Sequence, residues 1–413
     1  MNNKTVAVVG AGIVGVSCAL WLQKKGFSVV LIDPEKPGSG TSSGNACTIA
    51  DYACVPINSP SLFMQLPGLM LSRNGPLSVD LWYAFKHMPW MLHFLKFCTP
   101  AKVRRITRIM HKLLQKTYEG LTPLIAMTES VHLLEKRGCM YVYKNQREYR
   151  NAQAATQVRR DHGIEFTELD AGAIRELEPG IKMPFVKGYL FENASQVLNP
   201  QSLTTRFFDY FIAHQGRYVD QTAVAVRQES ETVRVFLGNG EALDVDRVVI
   251  AAGAFSKAIQ GTGAHILPLD TERGYHVQYT GMQSLVTRPV SWNEAGFYAT
   301  PMDQGLRIAG TVEIGGTTEQ RNPRVLNYLK RRAEEMFDLR DQPHTEWLGF
   351  RPTLPDALPA IGYSPQSEYI LYAFGHHHLG LTLAGITGKL IAELICGEKP
   401  SHNIKPFSPG RFR

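Results

Sequence analysis

Two hydrophobic periods alternate along this chain. Thr5-Val-Ala-Val-Val9 is a short β-branched run, the pattern of a buried strand. Val16, Ala19, Leu20 and Leu22 then recur at helical spacing up to Gly26, a helix stop. Ser28-Val-Val-Leu-Ile32 returns to a strand run and ends on Asp33. Later strand runs lie at Met140–Tyr143, Gly188–Phe191, Thr222–Val226, Val233–Leu237, Asp246–Ala251, Tyr275–Tyr279, Gly296–Ala299, Leu306–Ala309 and Tyr369–Phe374. Helical patterns fall between them, at about 146–162, 200–214, 322–338 and from the 375–382 turn to about Cys396. The alternation predicts an α/β fold with a second, strand-rich α+β part.

The residues between the first strand and its helix add chemistry. Gly10-Ala-Gly-Ile-Val-Gly15 sits where a βαβ unit binds a dinucleotide. Gly10 makes the tight turn, Gly12 admits a pyrophosphate close to the backbone, and Gly15 lets helix and strand pack. Ile13 and Val14 open the helix, whose free N–H groups and dipole favour phosphate. Asp33 stands where an acid accepts hydrogen bonds from ribose hydroxyls, and Pro34 follows it. The small polar loop after it holds Thr41, Ser42, Ser43, Gly44, Asn45 and Ala46. Its hydroxyls are expected to cap a following helix and to make a second phosphate contact. Ala252 and Gly253 form another turn at a strand's carboxyl end, and Val224 precedes them on a neighbouring strand run. In an open α/β sheet that edge binds the ligand, so all three join the cofactor candidates. A third glycine turn, Gly375-His-His-His-Leu-Gly-Leu-Thr382, opens the last helix and offers its N–H groups to a partly negative group.

At 413 residues the chain has room for two domains. The expected division is a discontinuous cofactor domain (1–60, 195–262, 345–413) and a substrate domain (61–194, 263–344). Hydrophobic content of 44% with 20% charged residues is ordinary for a globular protein. The fingerprint begins at residue 5, which leaves no cleavable signal before it and predicts a cytoplasmic location. Six cysteines show neither a C-x-x-C pair nor a metal spacing and are expected to be reduced, mostly buried thiols. The net charge of +7 suits an anionic surface or acidic substrates and is too diffuse to indicate nucleic acid. Leu81 to Cys98 is rich in aromatics, but lysines, histidines and Pro89 interrupt it too often for a membrane-spanning helix. Arg104, Arg108, Lys112 and Lys116 then recur every four residues along one helical face. That face is either solvated cover for a core-packed helix or a surface for anionic lipid or an acidic partner.

These motifs, in this order, resemble the FAD-dependent D-amino-acid oxidase superfamily, and most of all its bacterial D-amino-acid dehydrogenase small-subunit branch. The resemblance spans nearly the whole chain. Its most specific carriers are Gly349-Phe-Arg-Pro-Thr-Leu-Pro-Asp356 and Gly375–Thr382, joined by Phe297-Tyr-Ala-Thr-Pro301 and Leu306–Thr311. It implies non-covalent FAD, since no cysteine lies in the last turn or beside Arg351. It implies that Arg351 clamps the substrate's α-carboxylate in a bidentate fork, with Tyr298 as a second donor and Tyr275 in the pocket wall. His377, Leu379, Gly380, Leu381 and Thr382 would face the flavin, and the substrate's neutral amine would point to a backbone carbonyl near His378. The expected reaction is oxidation of a D-amino acid, D-proline or D-hydroxyproline among them, to an imino acid. Electrons would pass to a quinone or a partner protein, with peripheral membrane contact at the inner face. Where the family usually has a small residue after Gly-His, His377 and His378 stand here, which leaves the substrate's identity open. Three adjacent histidines cannot all face one ion, so no metal is expected. The alternatives are an oxygen-dependent glycine- or sarcosine-type oxidase, and a non-catalytic FAD-binding subunit or assembly factor.

Overall fold

A computed structural model of the protein describes residues 4–58 and 75–412. The expected domain boundary at 60/61 lies outside the described residues. The opening βαβ unit forms as the periods predict: β1 (Thr5–Val9), α1 (Ile13–Lys24) and β2 (Ser28–Ile32). β1 lies inside a six-stranded sheet, among the described residues. The order is Arg217–Val219, β2, β1, Arg247–Ile250, Ser367–Phe374, Ala360–Ser364. All but the last pair run parallel. Val9 pairs with both Ile32 and Ile250, and Ile250 with Tyr372. Parallel strands in this register all end at one edge. Gly10, Asp33, Ala252 and Gly375, far apart in sequence, therefore become neighbours in space.

Three helices close the back of this sheet. Nine of the twelve residues of α1 are buried, an apolar character on all sides that suits a helix packed from every direction. The final helix, Gly380–Ile395, lies against it, and a Cβ on Gly388 would sit 2.6 Å from the Ser17 carbonyl oxygen. A third helix, Thr117–Met127, crosses where Gly120 meets Gly385. Trp21 Nε1 donates to the Gly120 carbonyl at 3.2 Å and ties the helices together.

The second sheet is mixed, mostly antiparallel and nine-stranded among the described residues. Its long strands are Asp270–Thr280, Gly305–Ile314 and His344–Thr353. One face packs on the helix Pro323–Met336, burying Leu326, Leu329, Ala333 and Met336. The other looks toward the carboxyl edge of the first sheet.

Residues 41–47 depart from expectation. They form turns that lead into the short strand Thr48–Ile49, with no helix to cap. Their polar groups serve tertiary contacts instead. Thr41 Oγ1 donates to the Phe350 carbonyl, and Ser42 Oγ accepts from Ile13 N at 3.0 Å. Arg307 donates to the carbonyls of Ser43 and Asn45, and Thr300 Oγ1 to that of Ala46. The loop joins the two sheets. The aromatic segment folds as two short helices, Leu81–Lys86 and Met88–Lys96, broken at His87. Of the six cysteines, Cys396 is partly exposed and the others are buried free thiols.

The glycine crossing gives a stability prediction. A Cβ on Gly385 would lie 2.5 Å from the Gly120 backbone, which has no side chain to yield. Gly385→Val should destabilise the fold by about 1–3 kcal/mol or more. The measurement is the urea midpoint against Gly238→Ala, an exposed glycine whose Cβ would make only ordinary contacts, 3.7 Å at the nearest.

Candidate active site

A cavity of about 1380 Å³ runs from the carboxyl edge of the first sheet to the open face of the second. Its near end is built from backbone. Gly10 has φ +108°, and a Cβ there would lie 2.5 Å from the Ala251 carbonyl oxygen. Gly12, Ile13 and Val14 line the wall where α1 begins. α1 has no side-chain cap on its N-cap residue and no acid in its first turn, so its positive end is left for an outside anion. Asp33 closes this end. Its Oδ2 accepts from Ala11 N at 2.6 Å and its Oδ1 from Glu35 N at 2.9 Å. Burial raises its pKa; the two amides oppose that without fully cancelling it. Pro34, Ser42, Gly44, Asn45 and Ala46 continue the wall, and Val224, Ala252 and Gly253 face them.

The far end is built from side chains. Glu272 and Arg351 are direct partners across two antiparallel strands. Arg351 lies over Gly274, where a Cβ would be 2.5 Å from its Cζ; only a glycine leaves that room. Its Nη1 donates to the Thr311 carbonyl at 2.8 Å, while Nη2 has only a 3.5 Å contact to Gly310. Thr311 holds a left-handed φ of +58° in doing so. Burial pulls the Arg351 pKa down and Glu272 partly restores it. Burial pushes the Glu272 carboxyl up, but His377, Arg351 and Thr353 outweigh it and hold the group below its ordinary value. Tyr298 Oη pairs with Tyr141 Oη at 2.9 Å. Burial drives the Tyr298 pKa far up, so its hydroxyl stays protonated and able to donate. His378 is exposed onto the cavity, and His377 beside it is buried.

Residues 5–394 match the family model described as FAD dependent oxidoreductase. The chain belongs to this family. Across its whole length it is 32% identical to a D-amino-acid oxidase of Bradyrhizobium diazoefficiens, over 420 residues and 99% of that protein. It is 28% identical to a D-amino acid dehydrogenase of Methylobacterium nodulans, covering 98% of this chain and 99% of that one. Among solved structures, glycine oxidase from Geobacillus kaustophilus superposes with a TM-score of 0.78 over 99% of both chains at 19% identity, a likeness of fold.

The cavity suits FAD, the family's cofactor. The acid-free start of α1 and the bare backbone at Gly10 and Gly12 would receive the pyrophosphate. Asp33 would take the ribose hydroxyls, and the first turn of the last helix, with Gly380 and Leu381 on the wall, would meet the flavin. No cysteine lines the cavity among the described residues, so a cysteinyl link to the flavin has no partner among them.

Five expected site residues lie off the wall. Tyr275 is the main correction. It points to the opposite face of its strand and donates to Glu313 within a buried network with Arg273 and Asn322. Strand alternation explains it: Glu272 and Gly274 face the cavity, and Tyr275 turns away. Ser43 spends its hydroxyl on the carbonyls of Ser39 and Gly40. Thr382 Oγ1 accepts from Ala50 N, and Leu379 is buried in the core. Gly15 sits behind the turn, where a Cβ would lie 1.8 Å from the Gly10 carbonyl oxygen, so it acts through packing. The structure also adds residues. Glu272 carried a signal, a charged run Asp270-Thr-Glu-Arg273 inside a strand pattern. Tyr141 and Arg159 carried none. Arg159 lies over the Tyr141 ring at 5.6 Å, and its Nε meets no partner among the described residues.

Two measurements check this site. Asp33→Ala should weaken FAD binding about 10- to 100-fold, the scale of hydrogen bonds to a charged group, as read by flavin fluorescence on dilution. The second concerns pH. Burial holds His276 and His376 down to about 3, so both stay neutral in the fold. The unfolded chain protonates them below about pH 6.5. It then binds more protons than the native state, and stability should fall as pH drops from 6.5 toward 3. Melting temperature against pH tests this, and His276→Gln should flatten the profile between pH 6.5 and 5.

Proposed function

We propose that this protein oxidises the Cα–N bond of a D-amino acid to an imino acid. The observation that carries this reading is Arg351, held over Gly274 on the wall of the cavity whose other end suits a dinucleotide. With one Nη fixed by Thr311 and the other weakly engaged, the guanidinium can present a fork to a carboxylate. The Tyr298 hydroxyl supplies an adjoining donor. FAD, when bound, supplies the acceptor for the Cα hydride. The chain's part is to match the carboxylate's charge and aim the Cα–H bond. A cyclic secondary amine such as D-proline or D-hydroxyproline is within the proposed substrate class.

We further propose a quinone or a partner protein as electron acceptor, reached by peripheral contact with the inner face of the membrane. The two short helices support this reading. They give Trp90, Met91, Phe94 and Leu95 to the cavity wall and leave Trp82, Phe85, Met88 and Leu92 exposed outside. Exposed Lys86, Lys96, Lys102, Arg104, Arg105 and Arg108 accompany that apolar face, a pairing that favours anionic lipid. Oxygen as acceptor is the second reading, favoured by the oxidase name of the 32% identical relative.

An anaerobic screen of D- and L-amino acids, followed by flavin bleaching, tests the reaction. Bleaching by D-amino acids is expected; a flavin that no amino acid reduces would overturn the reading. Arg351→Ala should raise KM about thirtyfold or more while FAD stays bound. Arg351→Lys should recover only part, since the fork is lost. Fast reoxidation by oxygen together with no binding to anionic vesicles would decide for the second acceptor.

A further inference from the structure

The Gly375–Thr382 turn holds a feature that the clamp does not use. His377 sits in the left-handed region at φ +55°, a conformation that a non-glycine residue holds only against a steric cost. That conformation aims its ring both ways. Nε2 meets Glu272 Oε1 at 2.9 Å, and Nδ1 meets His378 Nδ1. His378 in turn lines the cavity. The result is a chain of three titratable groups from a buried carboxylate to the substrate space.

Hydrogen-bond polarity orders the protons along this chain once His377 carries a single one. Glu272, kept ionised by its neighbours, can only accept, so His377 Nε2 carries the hydrogen. A His377 that holds only this proton has a bare lone pair on Nδ1. The contact there requires His378 Nδ1 to carry a hydrogen. His378 Nε2 is left as a lone pair and has no hydrogen-bond partner among the described residues. Desolvation inside the cavity, with Arg351 adding to it, pushes the pKa of His378 far down, which keeps a proton off that lone pair. Among the described residues the titratable groups that act on it are Arg351 from its strand and His377 on its own turn, and Gly380–Leu383, the first turn of the helix that follows, adds none. His376 turns away to Thr387.

We propose that His378 Nε2 accepts an N–H of the substrate's amine, with Glu272 and His377 as positioning residues that hold it in the accepting tautomer. This rests on the amino-acid reading above. Primary and secondary α-amino acids satisfy this acceptor, and a cyclic secondary amine keeps the N–H it needs.

Two unreactive carboxylates of one shape test the proposal on the FAD-loaded enzyme. Pyrrole-2-carboxylate offers an N–H where furan-2-carboxylate offers an oxygen, and the perturbed flavin absorbance reports binding of each. The wild type should prefer the pyrrole about five- to tenfold, the worth of one net hydrogen bond. His378→Leu should bring the ratio near one with FAD retained, and His378→Gln, which keeps an acceptor, should restore part of it. Glu272→Gln, which frees the tautomer, should shrink the preference. An intact pyrrole preference in His378→Leu, or a wild type that favours the furan, would overturn the proposal. If neither carboxylate perturbs the flavin and no amino acid bleaches it, the amino-acid reading fails as well.

Discussion

The parallel pairing of β1 with its two neighbours sets everything else. Each parallel strand of the first sheet ends at the same edge, and the register brings Gly10, Asp33, Ala252 and Gly375 to one cavity. The turns supply what an anionic cofactor needs: backbone N–H groups, a helix start with no competing acid, and one carboxylate already held in place. The packing behind them allows no side chain. Gly15 touches the Gly10 carbonyl and Gly388 touches Ser17, so α1 meets the strand turn, and the last helix meets α1, through glycines.

The second sheet brings the chemistry, and loop 41–47 sets the two sheets against each other. The same loop binds α1 through Ser42 and the second sheet through Thr41, Ser43, Asn45 and Ala46. A Cβ on Gly44 would be 2.3 Å from the Trp347 ring, which stacks on His276. Mutations in this loop therefore act on both ends of the cavity.

Buried charge on the second sheet is paired by strand face. On the cavity face Glu272 balances Arg351 and holds His377. On the other face Arg273 pairs with Glu313 at 3.1 Å, joined by Tyr275. Removing one member of such a pair leaves a buried charge alone, at a cost of about 3–5 kcal/mol. The cavity pair is open to substrate, whose carboxylate would change the balance that Glu272 feels. The structural pair is closed by Asn322.

How much of this was legible depended on range. The βαβ unit, its glycines and Asp33 follow from a local strand–turn–helix pattern, and Arg351, Tyr298 and the histidine turn from a resemblance carried by short motifs. Those signals lie within a few residues, where backbone sterics and periodicity decide the outcome. Tyr275 was misplaced because a bulge between Arg273 and Tyr275 and the alternation of faces, not residue type, choose what reaches the cavity. The hydroxyls of Thr41 and Ser42 were read as caps because a local pattern cannot show partners such as Phe350, 309 residues away. Glu272, Tyr141 and Arg159 entered the site only when pairing across strands and packing of a distant helix brought them there. The sequence by itself determined the cofactor end, since backbone turns make it. Only the tertiary structure decided the substrate end, because side chains from separate strands and helices meet there and no local rule positions them.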